Sequence, residues 1–183
     1  MKATGIIRKI DELGRVVIPK EIRRNFKIRE REPLEFFVDN NGEVILKKYS
    51  PIGELGNFVR AYADSLHEVM GHIACITDRD NVIAASGAPE KEFVNRPFSA
   101  AVEQVIQTRK SVLIHDTRQH EYYKNESEEN ASKFVSEAIA PIISDGEVIG
   151  AVIMGTKDRD VKLGDLELKL VETASGFLSR QMG

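Results

Sequence analysis

The character of the sequence changes at Tyr49-Ser50-Pro51-Ile52-Gly53, and the change marks a boundary between two differently built parts. Residues 1–55 carry 12 Lys and Arg against 9 Asp and Glu, whereas residues 56–183 carry 14 against 20. The two parts differ in the sign of their net charge, although the formal total is only -3. A chain of 183 residues holds one large domain or two small ones. A sign change at the point where strand periodicity also stops favours two. The imbalance sharpens in residues 2–31, where Lys2, Arg8, Lys9, Arg15, Lys20, Arg23, Arg24, Lys27, Arg29 and Arg31 face only Asp11, Glu12, Glu21 and Glu30. A basic head on an acidic body points to a polyanionic partner for the head alone.

Several classes fall away. Cys75 is the only cysteine, so neither an internal disulfide nor a cysteine-rich zinc site is available. No apolar run reaches the roughly 18 residues of a spanning helix, and Met1-Lys2-Ala3-Thr4-Gly5 leads into charged sequence instead of the apolar stretch of a secretory leader. A cytoplasmic protein with no membrane partner is therefore expected.

Within the head, residues 4–10 alternate Ile6, Arg8 and Ile10 with Ile7 and Lys9, the period of a strand. Asp11-Glu12-Leu13-Gly14 interrupts, and residues 15–18 restart the pattern. Pro19 presets a helical φ for a short helix over 20–26, with Ile22 and Phe26 on one side and Arg23 and Arg24 elsewhere. Residues 33–39 and 43–48 read as strands around Asn40-Asn41-Gly42, where Asn-Gly predicts a type I′ hairpin turn. A unit of about 50 residues without metal or disulfide is marginal as a single core. An obligate dimer through residues 1–52 follows as an expectation, with a short linker over 53–56 and a second domain over 57–183.

That second domain opens with an amphipathic helix over 57–70, carrying Phe58, Tyr62, Leu66 and Val69 in one stripe and ended by Gly71. Strands over 73–77 and 82–85, a helix over 97–108 and a strand over 112–115 follow. Residues 117–133 are too long for an ordinary connection, so they are read as a functional loop or one containing a short helix. Strands over 136–143 and 148–155 flank Asp145-Gly146, and a helix over 163–178 closes the chain. The sum is α+β, a mainly antiparallel sheet bracketed by terminal helices.

Few residues invite catalysis. His67, His72, His115 and His120 lack both a second thiol and a shared-face spacing, so capping or surface roles fit them better than metal. Ser86-Gly87 has no assignable partner, and Cys75 between Ala74 and Ile76 reads as an inert buried thiol. Glu126, Glu128 and Glu129 are most simply a solvated loop. No cofactor is expected, and neither is an enzyme. The arginines of the head differ, because guanidinium groups stay charged, grip phosphate and read guanine edges. Arg8, Arg15, Arg23 and Arg24 form a nucleic-acid patch if the strands converge; a solvated surface paired with Glu12 and Glu21 is the alternative.

The run from Thr4-Gly5-Ile6-Ile7-Arg8-Lys9-Ile10-Asp11-Glu12-Leu13-Gly14-Arg15 through Val16-Val17-Ile18-Pro19-Lys20-Glu21-Ile22-Arg23-Arg24 resembles the AbrB family of bacterial transition-state regulators. The likeness continues through Leu34-Glu35-Phe36-Phe37-Val38 and Ile45-Leu46-Lys47-Lys48-Tyr49. It implies an interleaved swapped-hairpin β-barrel of two chains that binds double-stranded DNA through Arg8, Arg15, Arg23 and Arg24, with Lys9 helping. The remainder is similar to GAF domains, on element order and on Ala140-Pro141-Ile142-Ile143-Ser144-Asp145-Gly146-Glu147-Val148-Ile149-Gly150-Ala151-Val152-Ile153-Met154-Gly155. That likeness implies either a sensor for a small-molecule effector, sited at residues 117–133 and the neighbouring strands, or an assembly domain whose terminal helices join dimers into a homotetramer. Heads of this type also occur in antitoxins, but those usually end in a disordered toxin-binding tail. GAF domains that reduce methionine sulfoxide use several cysteines, where this chain has one.

Overall fold

The computed structural model describes residues 4–124 and 131–182 and divides into two compact units, one ending at Tyr49 and the other beginning at Ser50. The division precedes the expected end of the head at residue 52. Ile52 is fully buried in the second unit's core, and the expected linker over 53–56 is taken up by α2 (Pro51–Glu54) and the start of α3 (Gly56–Met70). Ser50 caps α2, its Oγ accepting the Gly53 amide at 3.2 Å.

In the first unit, α1 (Lys20–Asn25) follows Pro19 directly, and the chain leaves it through Lys27 at φ 50°. Strands β1 (Leu34–Val38) and β2 (Val44–Lys48) pair antiparallel, Leu34 opposite Lys48 and Val38 opposite Val44. Their turn is not type I′. That type needs positive φ at both central residues, whereas only Gly42, at φ 77°, is left-handed between the strands. The cause is Asp39, whose carboxylate accepts the amides of Asn41 at 2.9 Å and Glu43 at 2.8 Å and so fixes a longer loop. The strands expected over 4–10 and 15–18 do not form, and no barrel closes among the described residues. A strand exists only where a neighbour takes its backbone hydrogen bonds. Here the segment's apolar side chains face solvent, Ile7 at 86% and Val17 at 70% exposure.

The second unit continues from α3 through β3 (Ile73–Thr77), β4 (Val82–Ser86), α4 (Glu90–Phe93), α5 (Ala100–Thr108) and β5 (Val112–Ile114). A 3₁₀ turn (Glu121–Tyr123), β6 (Ser136–Ser144), β7 (Glu147–Thr156) and α6 (Asp165–Arg180) complete it. The five strands make one antiparallel sheet in the order β4-β3-β7-β6-β5. Side chains alternate across it, as strand period dictates. Ile76, Ala138, Ala140, Ile142, Val152 and Met154 meet α3 and α6 on one face, while Cys75, Ile139, Ala151 and Ile153 meet α4, α5 and Phe134 on the other. Asp145 and Gly146, at φ 49° and 77°, make the type I′ turn between β6 and β7. The helix expected from 97 starts at Ala100 with Ser99 as its cap, and α4 is too short to have declared a period in the sequence. The long connection over 117–133 holds the 3₁₀ turn, while Glu126, Glu128 and Glu129 lie outside the described residues.

Candidate functional site

The sequence-predicted basic residues fall at three places in the first unit. Arg8 and Lys9 are exposed in the extended segment before the Asp11–Arg15 turn, and Arg8 Nη1 donates to the Ile7 carbonyl at 3.0 Å. Arg15 leaves the turn itself. Asp11 folds that turn by accepting the amides of Leu13 at 3.0 Å and Arg15 at 2.8 Å, while its other oxygen takes Arg15 Nε at 2.8 Å. The Arg15 amide, then its guanidinium, hold the Asp11 carboxyl below the usual carboxylate range. The salt bridge therefore orients Arg15 and leaves its side chain 69% exposed.

Arg23 and Arg24 share α1 but differ in their surroundings. Arg24 is exposed and lines a surface hollow with Lys20, Glu21 and Asn25. Arg23 is half-buried, and its Nε is shielded from solvent with no hydrogen-bond partner. No hydrogen bond or ion pair among the described residues joins the three places; Asp11 is the only acid paired to any of these arginines. The ion pairs to Glu12 and Glu21 that the alternative reading supposed are not among those of the described residues.

The second unit holds a different kind of site. Between the sheet face under α5 and the chain preceding β6 lies a cavity of about 40 Å³, lined by Cys75, Val82, Phe93, Phe98, Val102, Phe134 and Ile153, with Ser99, Ser132, Lys133 and Glu137 as its polar members. Glu137 is only 1% exposed. The Tyr123 hydroxyl donates to its Oε1 and Ser132 Oγ donates to Oε2 at 2.9 Å. Tyr123 is held in turn by Ser99 Oγ at 2.8 Å, and Ser132 by accepting the Phe134 amide at 3.0 Å. Burial pushes the Glu137 carboxyl up to about 7 against the pull of those two donors, and burial together with Glu137 pushes the Tyr123 phenol up as well. At the rim, Lys133 Nζ donates to the Glu92 carbonyl and Lys157 Nζ reaches the Glu92 carboxylate at 2.7 Å, both lying over the Phe93 ring.

This pocket was only coarsely legible. The likeness to GAF domains implied, as one of two alternatives, an effector site at residues 117–133 and the neighbouring strands; Tyr123, Ser132 and Lys133 lie in that span, most of the lining outside it. Glu137 was missed, although an acid inside Phe134-Val135-Ser136-Glu137-Ala138-Ile139-Ala140 is a signal in itself. Burial also pushes the Cys75 thiol up to about 12, which keeps it protonated and a poor nucleophile. His67 Nδ1 lies 2.8 Å from the His72 carbonyl and His115 Nδ1 3.0 Å from that of Leu163. Among the described residues no group of His, Cys, Asp and Glu is placed to hold a metal ion, and no helix is long and apolar enough to cross a membrane.

Comparison with known proteins divides the chain at nearly the same point. Residues 54–183 match the family described as stage V sporulation protein T C-terminal, transcription factor, and residues 7–54 match that of the antidote-toxin recognition MazE, bacterial antitoxin. Stage V sporulation protein T of Bacillus subtilis (strain 168) is 50% identical over 182 residues, covering 100% of this chain and 99% of that one. The transition state regulatory protein AbrB of the same organism is 61% identical over 51 residues, 28% of this chain and 52% of that protein. The GAF domain of a phosphoenolpyruvate-protein phosphotransferase from Coxiella burnetii superposes with a TM-score of 0.58 at 15% identity, over 70% of this chain and 82% of that one. The head is thus AbrB-like in sequence and the body GAF-like in fold.

Proposed function

This chain belongs to the family of stage V sporulation protein T, and from that premise we propose that it is a regulator of late sporulation genes, activating some and repressing others, that grips duplex DNA through paired heads. One observation carries the mode of action: no described residue before Ile52 is buried, while Ile10, Leu13, Val16, Val17, Phe26, Phe36 and Val38 are all exposed. An apolar surface of that density in a 49-residue unit calls for a second copy to cover it. Interleaving two heads supplies the strand partners that residues 4–10 and 15–18 lack. It also sets two copies of Arg8, Lys9, Arg15, Arg23 and Arg24 on one assembly, which suits a polyphosphate better than any isolated cation does. Such a protein works in the cytoplasm, on the nucleoid.

The GAF-like body gives the assembly its higher order and its input. On α3 and α6, Tyr62 and Phe177 stack with centroids 5.4 Å apart and Phe58 lies 6.0 Å from Phe177. Phe58, Val69, Leu166 and Phe177 leave much apolar area in solvent on the same two helices. We assign that face to the contact that joins dimers into a tetramer, and the cavity beside Glu137 to a small-molecule effector. An antitoxin role is not favoured, because the residues following the head form a folded domain of the transcription-factor family. An enzyme working through its thiol is disfavoured by the buried, protonated Cys75.

The test is fluorescence anisotropy of labelled duplex DNA against the full chain and against a variant with Arg8, Arg15, Arg23 and Arg24 all changed to Ala, across a salt series. Each phosphate that the variant leaves unneutralised should flatten the log-affinity against log-salt slope by about 0.9. Tight, salt-steep binding that vanishes in the variant is expected; equal affinity and slope in both would refute the patch.

A further inference from the structure

Glu137 is a buried acid without a buried base. Its two oxygens take one hydroxyl donor each, Tyr123 on one and Ser132 on the other. A carboxylate offers about four acceptor positions, so each oxygen keeps capacity for another donor. Among the described residues no Lys, Arg or His forms an ion pair with it. The lysine of the cavity wall, Lys133, places its ammonium on the Glu92 carbonyl and over the Phe93 ring, 4.9 Å from the centroid. Charged groups removed from water are ordinarily matched by an opposite charge. Here the unmatched group borders a cavity of about 40 Å³ whose other walls are chiefly apolar: Val82, Phe93, Phe98, Val102 and Ile153.

We propose that the cavity is the receptor for a small organic cation, a primary ammonium group donating to Glu137 with a short apolar body lying against Phe93, Phe98 and Val102. The assignment rests on reading this cavity as the effector site, and it names the chemistry of that effector. The arrangement favours a cation over the alternatives. An anion would meet Glu137 head on. A neutral alcohol would satisfy one oxygen and leave the charge without a counterion. The Tyr123 hydroxyl, which accepts from Ser99 Oγ, and the Ser132 hydroxyl, which accepts from the Phe134 amide, hold the carboxylate still before any ligand arrives. Pre-organisation of this kind lowers the cost of binding.

Propylammonium, 1-propanol and butyrate share a propyl body and differ in charge, and each can be titrated into the full chain with the methyl signals of Val102 and Ile153 as reporters. At a pH above about 8, where a carboxyl of this kind is ionised, propylammonium is expected to bind about tenfold or more tightly than 1-propanol, as a charge-assisted hydrogen bond implies. Butyrate should leave the signals unmoved. Glu137→Gln, which keeps the shape and both hydroxyl partners, should erase the preference while the methyl spectrum without ligand stays that of the folded protein. If Glu137→Gln fails to fold, the three-probe comparison on the unaltered chain decides alone. Stronger binding of 1-propanol or butyrate than of propylammonium overturns the cation and keeps the effector site. Silence with all three probes overturns both.

Discussion

At the scale of single residues, the two regions of this protein use charge in opposite ways. The arginines of the head are exposed or half-exposed, so their charge is free to act at a distance and its effect is screened by salt. Glu137 is sealed in, so its charge makes itself felt through protonation. Its folded value of about 7 lies above the ordinary 4.5, so between those two values the folded chain holds a proton that the unfolded chain has released. Stability from this group is complete below the lower value and is lost as pH rises through the upper one. The titratable groups around it are Tyr123 from the 3₁₀ turn, Cys75 from β3 and Lys133 from the chain entering β6, and the first two are pushed up, away from this range. Thermal unfolding followed from about pH 5 to about pH 8 should show Glu137→Gln losing less stability with rising pH than the unaltered chain; equal slopes would place the titration elsewhere. Charge itself was legible: Arg8, Lys9, Arg15, Arg23 and Arg24 stand out in the sequence. Environment was not. That Arg23 has its Nε shielded while adjacent Arg24 is open depends on what packs around α1, which adjacent positions in a sequence do not reveal.

At the scale of elements, periodicity carried most of the second unit, because its sheet has helices on both faces and each strand must alternate between two cores. The central pair β6 and β7 stays in register from Ser136 opposite Thr156 to Ser144 opposite Glu147, with one shift at Ile142/Ile143. Near that shift Gly150 sits where a Cβ would come within 2.0 Å of the Thr77 carbonyl oxygen, a backbone atom fixed between β4 and β7. Gly150→Ala is therefore expected to cost about 1–3 kcal/mol, the range for overpacking a close contact, and to be read in denaturant midpoints; an unchanged midpoint would mean that β3 can move aside. The Asn-Gly and Asp-Gly turns teach the complementary lesson. The dipeptide at Asp145-Gly146 takes the two left-handed conformations its composition favours, whereas Asn41-Gly42 is overruled by the Asp39 carboxylate. A turn signal names a reversal, and the side chains beside it choose the geometry. The predicted strands over 4–10 and 15–18 failed for a larger reason: the pattern was that of a strand, but no described residue of the same chain pairs with them.

At the scale of the whole molecule, oligomerisation decides what the parts can do. The head exposes too much apolar surface to stand alone, and α3 and α6 add a second face in Phe58, Tyr62 and Phe177. A double change of Phe58→Glu and Phe177→Glu places charges on that face without touching the head. If that face joins dimers as proposed, sedimentation equilibrium should report half the mass of the unaltered chain's assembly, with duplex binding per dimer retained; an unchanged mass would overturn the proposed contact. By itself the sequence determined that there are two domains, that the first is basic and AbrB-like, and that the second alternates as a sheet under amphipathic helices. These follow from composition and period, which are properties of neighbouring residues along the chain. Only the tertiary structure decided where the boundary falls, because Ile52 belongs to a core assembled from β3, β6, β7 and α6. Only it brought Tyr123, Ser132 and Ser99 around Glu137, since burial and hydrogen-bond partnership are set by residues distant in sequence and adjacent in space.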